Sequence, residues 1–529
     1  MIWNIIDTET DDIGARYHTG KLLSRLIAAN GLNPEQIQEL LDPDTDLTVS
    51  EADCVKAACE RILKAARQGE KVFVGGDYDA DGICATAIMK RTLDLLKITN
   101  GYYIPDRFKE GYGLSKQTVS LAARKGYQLI ITVDNGVKAH EAIAEAKRLG
   151  MDVIVTDHHK IEETVEADIV VHPDYMEDRY QYLCGAGVAL ELSMRLCGMR
   201  QELIALACVA SIGDVMPLWK ETRKIVREGM EIMKRRIPRS IASMFRGGST
   251  VNWSSIAFQI VPKLNSVGRM NDLSNVNTLV PFLLSNSPEA ISSYTRQLEH
   301  VNDVRRELSE TQTALADTMV NDDDFIVIYH EKFHEGICGL IAGRLANTYH
   351  KPALVLARHE REIKGSGRSV EGFDMFSFFS GFEELSSFGG HEQAVGVGLK
   401  MDDLEMFKAH VAQKMKETAI PVNDHVNTAI AVKSDEISMD EIMDLQRADP
   451  LPKEINAYFA ITDAQVLTVK ETDKVIKYTI ANANGPLEAV LYKRKGISVG
   501  EDPHTVIGTL SINRWRSNVN MQIEIEDIY

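Results

Sequence analysis

Cysteine is scarce: seven in 529 residues, and no two form a CxxC pair. Neither a zinc knuckle nor a disulfide scaffold is indicated, and a reducing cytoplasmic setting is expected. Long apolar runs are missing too. No window approaches the ~18 consecutive apolar residues of a membrane span. The first residues, MIWNIIDTETDD, are acidic and lack the basic start of a signal peptide, so no membrane association is expected. Positive charge is in deficit, with 59 Lys and Arg against 77 Asp and Glu and a net charge of −18. That balance argues against indiscriminate coating of nucleic acid, which draws on phosphate neutralisation, but leaves room for a local basic channel. No internal repeat or low-complexity tract is present. What remains is 44% hydrophobic and 26% charged, an ordinary soluble composition long enough for about three or four domains.

The chain is organised around Val72–Ile83, VFVGGDYDADGI. An apolar run suited to a buried parallel strand ends at Gly75-Gly76. Asp77, Asp79 and Asp81 follow at alternate positions, Gly82 closes the turn, and CATAIMKRTLDLL reads as a helix. Three carboxylates on one tight turn repel each other, a cost that a hard divalent cation converts into binding. A strand–loop–helix unit also sets such a loop at the carboxyl edge of a sheet, where open α/β folds bind ligands. The plainer alternative is a solvated Asx-rich turn.

Ahead of this stretch, residues 1–70 read as helical. After it a βα alternation continues. QLIITVDNGV is a strand ending in Asp134-Asn135-Gly136, and MDVIVTDHHK is a strand ending in Asp157-His158-His159. The apolar helix ELIALACVASIGDVMPL ends near Asp214. Strands alternating with helices predict a parallel, doubly wound sheet. TRKIVREGMEIMKRRIPR is a basic helix, VNWSSIAFQIVPKLNSVGRM reads as loop, and Ser287-Pro288-Glu289 opens one long amphipathic helix. A second α/β pattern starts at FIVIYHEKF, with GSGRSVEGF as a Gly/Ser loop and SSFGGHEQAVGVGL as a Gly-rich turn holding His391. Residues 420–440 read as a polar linker. Five short strands from about Tyr458 onward suggest a small barrel of the OB type.

Asp77, Asp79, Asp81, Asp134, Asp157, His158, His159 and Asp214 all fall at strand or helix ends. Carboxylates with one or two imidazoles suit Mn²⁺ or Mg²⁺. More acids than one ion needs suggest two ions sharing a carboxylate, an arrangement suited to in-line displacement at phosphorus. Part of the excess negative charge would then be offset by bound cations. Asp157 reads as orienting a histidine rather than binding metal. Each residue also has a plainer reading: a type I′ turn for Asp134, a capped turn for the His pair, a solvated helix end for Asp214. Ser366 and Arg368 are either surface loop or a phosphate cradle.

DYDADG, VDNG, VTDHH and IGDVMPL, in that order, resemble the motifs of the DHH phosphoesterase superfamily. YIPDRFKEGYGL, LCGAGVALEL, PKLNSVGRM, GSGRS, FGGHEQAVGVGL and INRWRSNVNMQIEIEDI narrow the resemblance to its RecJ family across essentially the whole chain. The resemblance implies α/β lobes (DHH and DHHA1) joined by a long helix, with a C-terminal OB-fold. The expected spans are an N-terminal helical segment 1–50, the DHH domain 51–218, bridging helices 219–320, the DHHA1 domain 321–425 and the OB-fold 440–529. It implies Asp77, Asp79, Asp81, Asp134, His158 and Asp214 as metal ligands, and His159 at the scissile phosphate, with Asp157 and Asp134 alongside it in the catalytic set. Arg107, Ser366 and Arg368 match positions for a 5′-terminal phosphate, and Arg269, His391 and Trp515 for the DNA groove. Trp515 and Tyr478 are the aromatic candidates for base stacking. The implied activity is a Mn²⁺- or Mg²⁺-dependent exonuclease, with two ions per site, releasing 5′-mononucleotides from single-stranded DNA in repair and recombination. A monomer is expected, with a single-stranded-DNA-binding protein and a helicase as candidate partners. Gly75 stands where related pyrophosphatases carry a histidine, which favours the nuclease. Two rivals stay open: a DHH phosphodiesterase for oligoribonucleotides or cyclic dinucleotides, and an inactive replication scaffold. The retained acids and histidines argue against the scaffold.

Overall fold

The structure is a computed structural model that describes residues 2–8, 10–108, 110–247, 249–360, 362–418, 426–493, 504–515 and 518–529, with backbone alone at 11, 515 and 518. It divides into two compact units. One comprises Thr48–Met216 and Glu228–Asn423; the other comprises Met1–Leu47, Pro217–Arg227 and Asp424–Tyr529.

In the larger unit, apolar runs such as Leu129–Val133 are buried along their whole length, as strands covered on both faces must be. They form a five-stranded parallel sheet in the order Asn100–Tyr103, Val72–Gly75, Leu129–Val133, Asp152–Thr156, Ile169–Val171. On one face Phe73, Ile130, Val153 and Val155 pack with Val119, Ala122, Ala142, Ile143 and Ala146 from helices Lys116–Arg124 and His140–Arg148. Residues of opposite parity face helices Ala80–Leu95 and Gly185–Cys197, which pack with Gln201–Gly213. The last of these is apolar nearly all round, and correspondingly buried nearly all round. Because the strands run parallel, the loops after Gly75, Val133 and Thr156 share one edge.

The segment 253–269 is helical, not loop. A π-turn at Ile256–Ile260 leads into helix Val261–Arg269. Its Asn, Ser, Pro and Gly content disguises the helix, but Pro262 sits in the first turn, where a missing N–H costs nothing. The long helix Pro288–Asp317 is capped by the Ser287 hydroxyl, which accepts from the Ala290 N–H.

A second sheet orders Leu385–His391, Ala394–Lys400, Glu362–Arg368, Ala353–His359 and Ile326–His330, only the last pair parallel. Much of both stretches expected as glycine-rich loop or turn is strand: 365–368 of the first, and in the second both arms of a hairpin that turns at Glu392-Gln393 beside His391. Two of the glycines answer crowding: a Cβ on Gly365 would lie 2.5 Å from a Leu356 methyl and from the Val355 carbonyl oxygen. A Cβ on Gly367 would lie 2.6 Å from the Met375 sulfur.

The smaller unit carries one eight-stranded sheet: Ile2–Ile6, Val426–Val432, Phe459–Ile461, Val506–Trp515, Asn518–Ile528, Leu487–Tyr492, Val475–Ile480, Val466–Glu471. Two expectations are corrected. The first residues are a strand, paired parallel to Val426–Val432, so 1–70 is not wholly helical. The expected linker 420–440 holds that partner strand and the start of helix Met439–Leu445. The partners lie more than 400 residues apart, and local periodicity does not reveal such a pairing. Helix Met439–Leu445 also caps the helix Lys21–Ala29: Asp444 accepts from the Gly20 N–H at 2.6 Å and Glu441 from the Leu22 N–H at 2.9 Å. Among the described residues, no pairing joins the two outer strands of this sheet. Tyr478 is 4% exposed, facing the core from an alternating strand, so it is not a stacking surface. The Trp515 side chain lies outside the described residues. No helix of the described residues is long and apolar enough to cross a membrane.

Candidate metal centre and anion pocket

The turn after Val72–Gly75 accepts only glycine at two places. A Cβ on Gly76 would lie 2.0 Å from the Thr86 hydroxyl, and one on Gly82 would lie 2.5 Å from the Asp77 Cβ. Asp79 caps helix Ala80–Leu95, its Oδ1 accepting from the Asp81 and Gly82 N–H groups at 3.0 Å each. Asp81, in the first turn, accepts from the Gly185 and Ala186 N–H groups at 2.7 and 2.8 Å, at the positive end of helix Gly185–Cys197. Gly185 is small for a reason: a Cβ there would stand 2.4 Å from the Asp134 Cβ and 2.5 Å from its Oδ1.

Asp134 has a left-handed backbone, φ +60°. Asn135 braces it, donating to the Gly75 and Val133 carbonyls and accepting from the Leu114 N–H. The Tyr112 hydroxyl donates to the Asp134 carbonyl at 2.9 Å and stands 3.1 Å from the His159 Nδ1. His158 Nε2 lies 3.2 Å from Asp134 Oδ1, 3.6 Å from Asp214 Oδ2 and 3.7 Å from Asp81 Oδ2. Asp214 arrives at the end of helix Gln201–Gly213, followed by Val215 at φ +55°, rare for a β-branched residue. Three groups each bring their ligand atoms within 4.8 Å of one another: Asp77, Asp79 and Asp134; Asp81, His158 and Asp214; Asp134, His158 and His159.

Burial, then the charge of Asp79, pushes the Asp77 carboxyl well up; burial, then Asp81 and Asp79, does the same to Asp134. Burial and the charge of Asp81 raise Asp79. The Oδ1 atoms of Asp77 and Asp134 are buried without a hydrogen-bond partner, a costly state unless a cation faces them. Burial lowers the His158 pKa, leaving the neutral imidazole that metals bind. Orphaned carboxylate oxygens, like charges held together and a neutral imidazole fit a hard divalent ion such as Mn²⁺ or Mg²⁺.

Asp157 does different work. Its Oδ1 takes the His158 and His159 N–H groups at 2.8 and 3.1 Å and meets the His159 Nδ1 at 2.7 Å; its Oδ2 takes the Val137 N–H at 3.0 Å. Burial alone would raise this carboxyl, but the bond and charge from His159 bring it below its usual value. Burial likewise opposes protonation of His159, and the bond to Asp157 reverses that and raises it.

Beside the acids stands a group of cations. Burial, then the charges of Arg107, Arg368 and Arg305, brings Arg269 down to about 10, and burial and Arg107 lower Arg368. The Arg107 guanidinium lies 5.1 Å from the centre of the Tyr78 ring. Helix Glu335–Tyr349 approaches through glycines. A Cβ on Gly336 would lie 1.9 Å from the Arg269 carbonyl oxygen, and one on Gly339 would lie 3.2 Å from Arg368 Nη2 and 3.5 Å from the Ser366 Cβ. Among the described residues no carboxylate forms an ion pair with Arg107, Arg269 or Arg368, an arrangement that suits an anion. His391 ends its strand nearby: burial lowers it, then the charges of Arg368 and Lys138, and His159 also acts on it. Tyr112, Asn135 and Gly185 lie in motifs quoted from the sequence but were given no role there; the small run CGAG was the one signal that a neighbour presses close.

Three domain families match the chain: the DHH family, N-terminal domain, over 71–212; the DHHA1 domain over 322–417; and the RecJ OB domain over 429–527. Among curated proteins, the single-stranded-DNA-specific exonuclease RecJ of Bacillus subtilis is 30% identical over 562 residues, spanning 100% of this chain and 70% of that one. That of Escherichia coli is 27% identical over 575 residues, spanning 98% and 97%. Among solved structures, RecJ of Thermus thermophilus in complex with Mn²⁺ shares the fold with a TM-score of 0.84 at 23% identity, over 100% of this chain and 79% of that one. The same protein has been solved with Mg²⁺.

Proposed function

The chain belongs to the RecJ family, and from that premise we propose that it is a Mn²⁺- or Mg²⁺-dependent exonuclease that degrades single-stranded DNA from the 5′ end to 5′-mononucleotides. One observation supports a terminal phosphate held at the site. Tyr78 lies between Asp77 and Asp79 of the acidic turn, and its ring meets Arg107 of the anion pocket. An anion pocket one residue from the metal ligands suits a terminal phosphate held close to the bond that is cut.

Asp77, Asp79, Asp81, Asp134, His158 and Asp214 would hold two ions. When bound, such ions activate water as a nucleophile and stabilise charge on the phosphoryl and leaving oxygens. The chain's own groups do the rest. Arg107, Arg269, Arg368 and Ser366 hold the terminal phosphate and set the register of the cut. Asp157 keeps His159 protonated and oriented, so that its ring donates to an oxygen of the scissile phosphate. Tyr112 steadies both Asp134 and His159. His391 contacts the strand from the second sheet, and Trp515 serves the strand in the OB domain. The protein acts as a monomer in the cytoplasm, in repair and recombination, with a single-stranded-DNA-binding protein and a helicase as its partners.

The test is digestion with Mn²⁺ of strands labelled at either end. Early release of labelled mononucleotide from the 5′ end, with the 3′ label retained on long products, supports the reading. Degradation from the 3′ end overturns it, and preference for a dinucleotide over a long strand favours the phosphodiesterase.

A further inference from the structure

Helix Val261–Arg269 lies along the acidic turn and touches it at successive levels. At its far end Arg269 joins the anion pocket, and Gly268 abuts Tyr78, whose carbonyl oxygen would stand 2.5 Å from a Cβ there. One turn back, Asn265 accepts the Ala80 N–H at 2.7 Å. At its start the Val261 methyls approach Gly213, the neighbour of Asp214, within 3.3 Å of an added Cβ. Read from Arg269 backwards, the helix therefore runs from the terminal-phosphate pocket past the metal ligands.

Continuing that line leads to the π-turn Ile256–Ile260 and the short helix before it. Phe258 is 70% exposed and Trp253 39% exposed, with ring centroids 6.2 Å apart and planes at 84°. Eleven positions separate Phe258 from Arg269, about 16 Å at the helical rise. A largely bare Phe258 in a π-turn beside a part-exposed Trp253 in the preceding helix is uncommon on a surface, and π-turns frequently mark functional positions. One cation stands beside the pair: Arg246 is exposed and its backbone N–H donates to the side chain of Gln259, the neighbour of Phe258, at 2.9 Å.

We infer that Phe258 and Trp253 form a base-stacking station for the single strand on the 3′ side of the scissile bond. This rests on the 5′-exonuclease reading above. The occupant is a nucleic-acid strand because the pair continues the line of the helix that passes Arg269 and the proposed metal ligands, and because exposed aromatic faces bind bases without regard to sequence. The station would hold the trailing strand while the terminal nucleotide is cut.

The experiment measures KM for 5′-phosphorylated oligo(dT) of increasing length with Mn²⁺, in wild type, Phe258→Ala and Phe258→Tyr. In wild type, KM should fall once the strand is long enough to reach Phe258. In Phe258→Ala that fall should be lost, raising the long-strand KM by about 5- to 100-fold with kcat at saturation little affected. Phe258→Tyr, which keeps a stacking face, should retain it. Phe258→Ala with the wild-type length dependence overturns the inference, as does a loss in Phe258→Tyr equal to that in Phe258→Ala. A wild-type enzyme that cuts no 5′-phosphorylated strand of any length refutes the exonuclease reading itself, and the station falls with it.

Discussion

Replacing Gly185 by alanine places one methyl group where the structure has no room for it. The new Cβ would stand 2.4 Å from the Asp134 Cβ, 2.5 Å from its Oδ1 and 2.7 Å from its Cα. Two of these atoms, Cα and Cβ, belong to or adjoin a backbone held in a left-handed turn, so they cannot swing aside. Helix Gly185–Cys197 must retreat or Asp134 must move, and overpacking of this kind costs about 1–3 kcal/mol. Retreat also lengthens the bonds from the Gly185 and Ala186 N–H groups to Asp81, a second proposed ligand. A shift near 1 Å at a reacting centre lowers the rate by about 100-fold. Gly187→Ala is the control, because the three atoms nearest its Cβ all belong to the Leu183 side chain, the closest at 3.0 Å. The assay is Mn²⁺-dependent release of mononucleotide from single-stranded DNA, beside Mn²⁺ titration calorimetry and thermal melting. Gly185→Ala should remain folded, bind Mn²⁺ more weakly and lose about two orders of magnitude in rate, with Gly187→Ala near wild type. Wild-type Mn²⁺ affinity and rate in Gly185→Ala would refute the reasoning.

Further outcomes follow from the same geometry. Asp157→Asn removes the charge that orients His159 and should lower activity about 10- to 100-fold with less effect on Mn²⁺ stoichiometry; loss of bound metal instead would make Asp157 a ligand. Arg107→Ala or Arg368→Ala should raise KM for 5′-phosphorylated strands by about 10- to 100-fold, the worth of one charge-assisted hydrogen bond, while strands with a 5′-hydroxyl change far less; equal losses on both would take these arginines out of the terminal-phosphate pocket. Asp77 and Asp134 have raised pKa values in the folded, metal-free protein. That fold therefore binds more protons than the unfolded chain and loses stability as pH rises above the ordinary Asp value of 3.8. Mn²⁺ removes that penalty, so the gain in melting temperature on adding Mn²⁺ should be larger at pH 8 than at pH 5, and a gain that shrinks with pH would contradict the site.

What was legible in the sequence follows a physical division. Apolar runs closed by acids and glycines, such as the strand before Asp77 and that before Asp157, declare both a buried parallel strand and a site at its end. The anion pocket was harder to read from residue types: Ser366 and Arg368 looked like loop because glycine signals turns, whereas Gly365 and Gly367 serve a crowded strand. Helix Val261–Arg269 was missed because Pro262 and Gly268 resemble breakers, although one occupies the first turn and the other yields space to Tyr78. The strand Ile2–Ile6 was missed because its partner, Val426–Val432, lies more than 400 residues away. Tyr478 shows the limit of composition, since an aromatic on an alternating strand faces either way and this one faces inward.

The central claim is that Asp77, Asp79, Asp81, Asp134, His158 and Asp214 together hold a pair of divalent ions. Anomalous diffraction at the manganese edge from crystals soaked in Mn²⁺ tests it most directly. The account predicts two peaks among these six side chains, about 3.5–4 Å apart. A single peak, or peaks seated elsewhere, would contradict it.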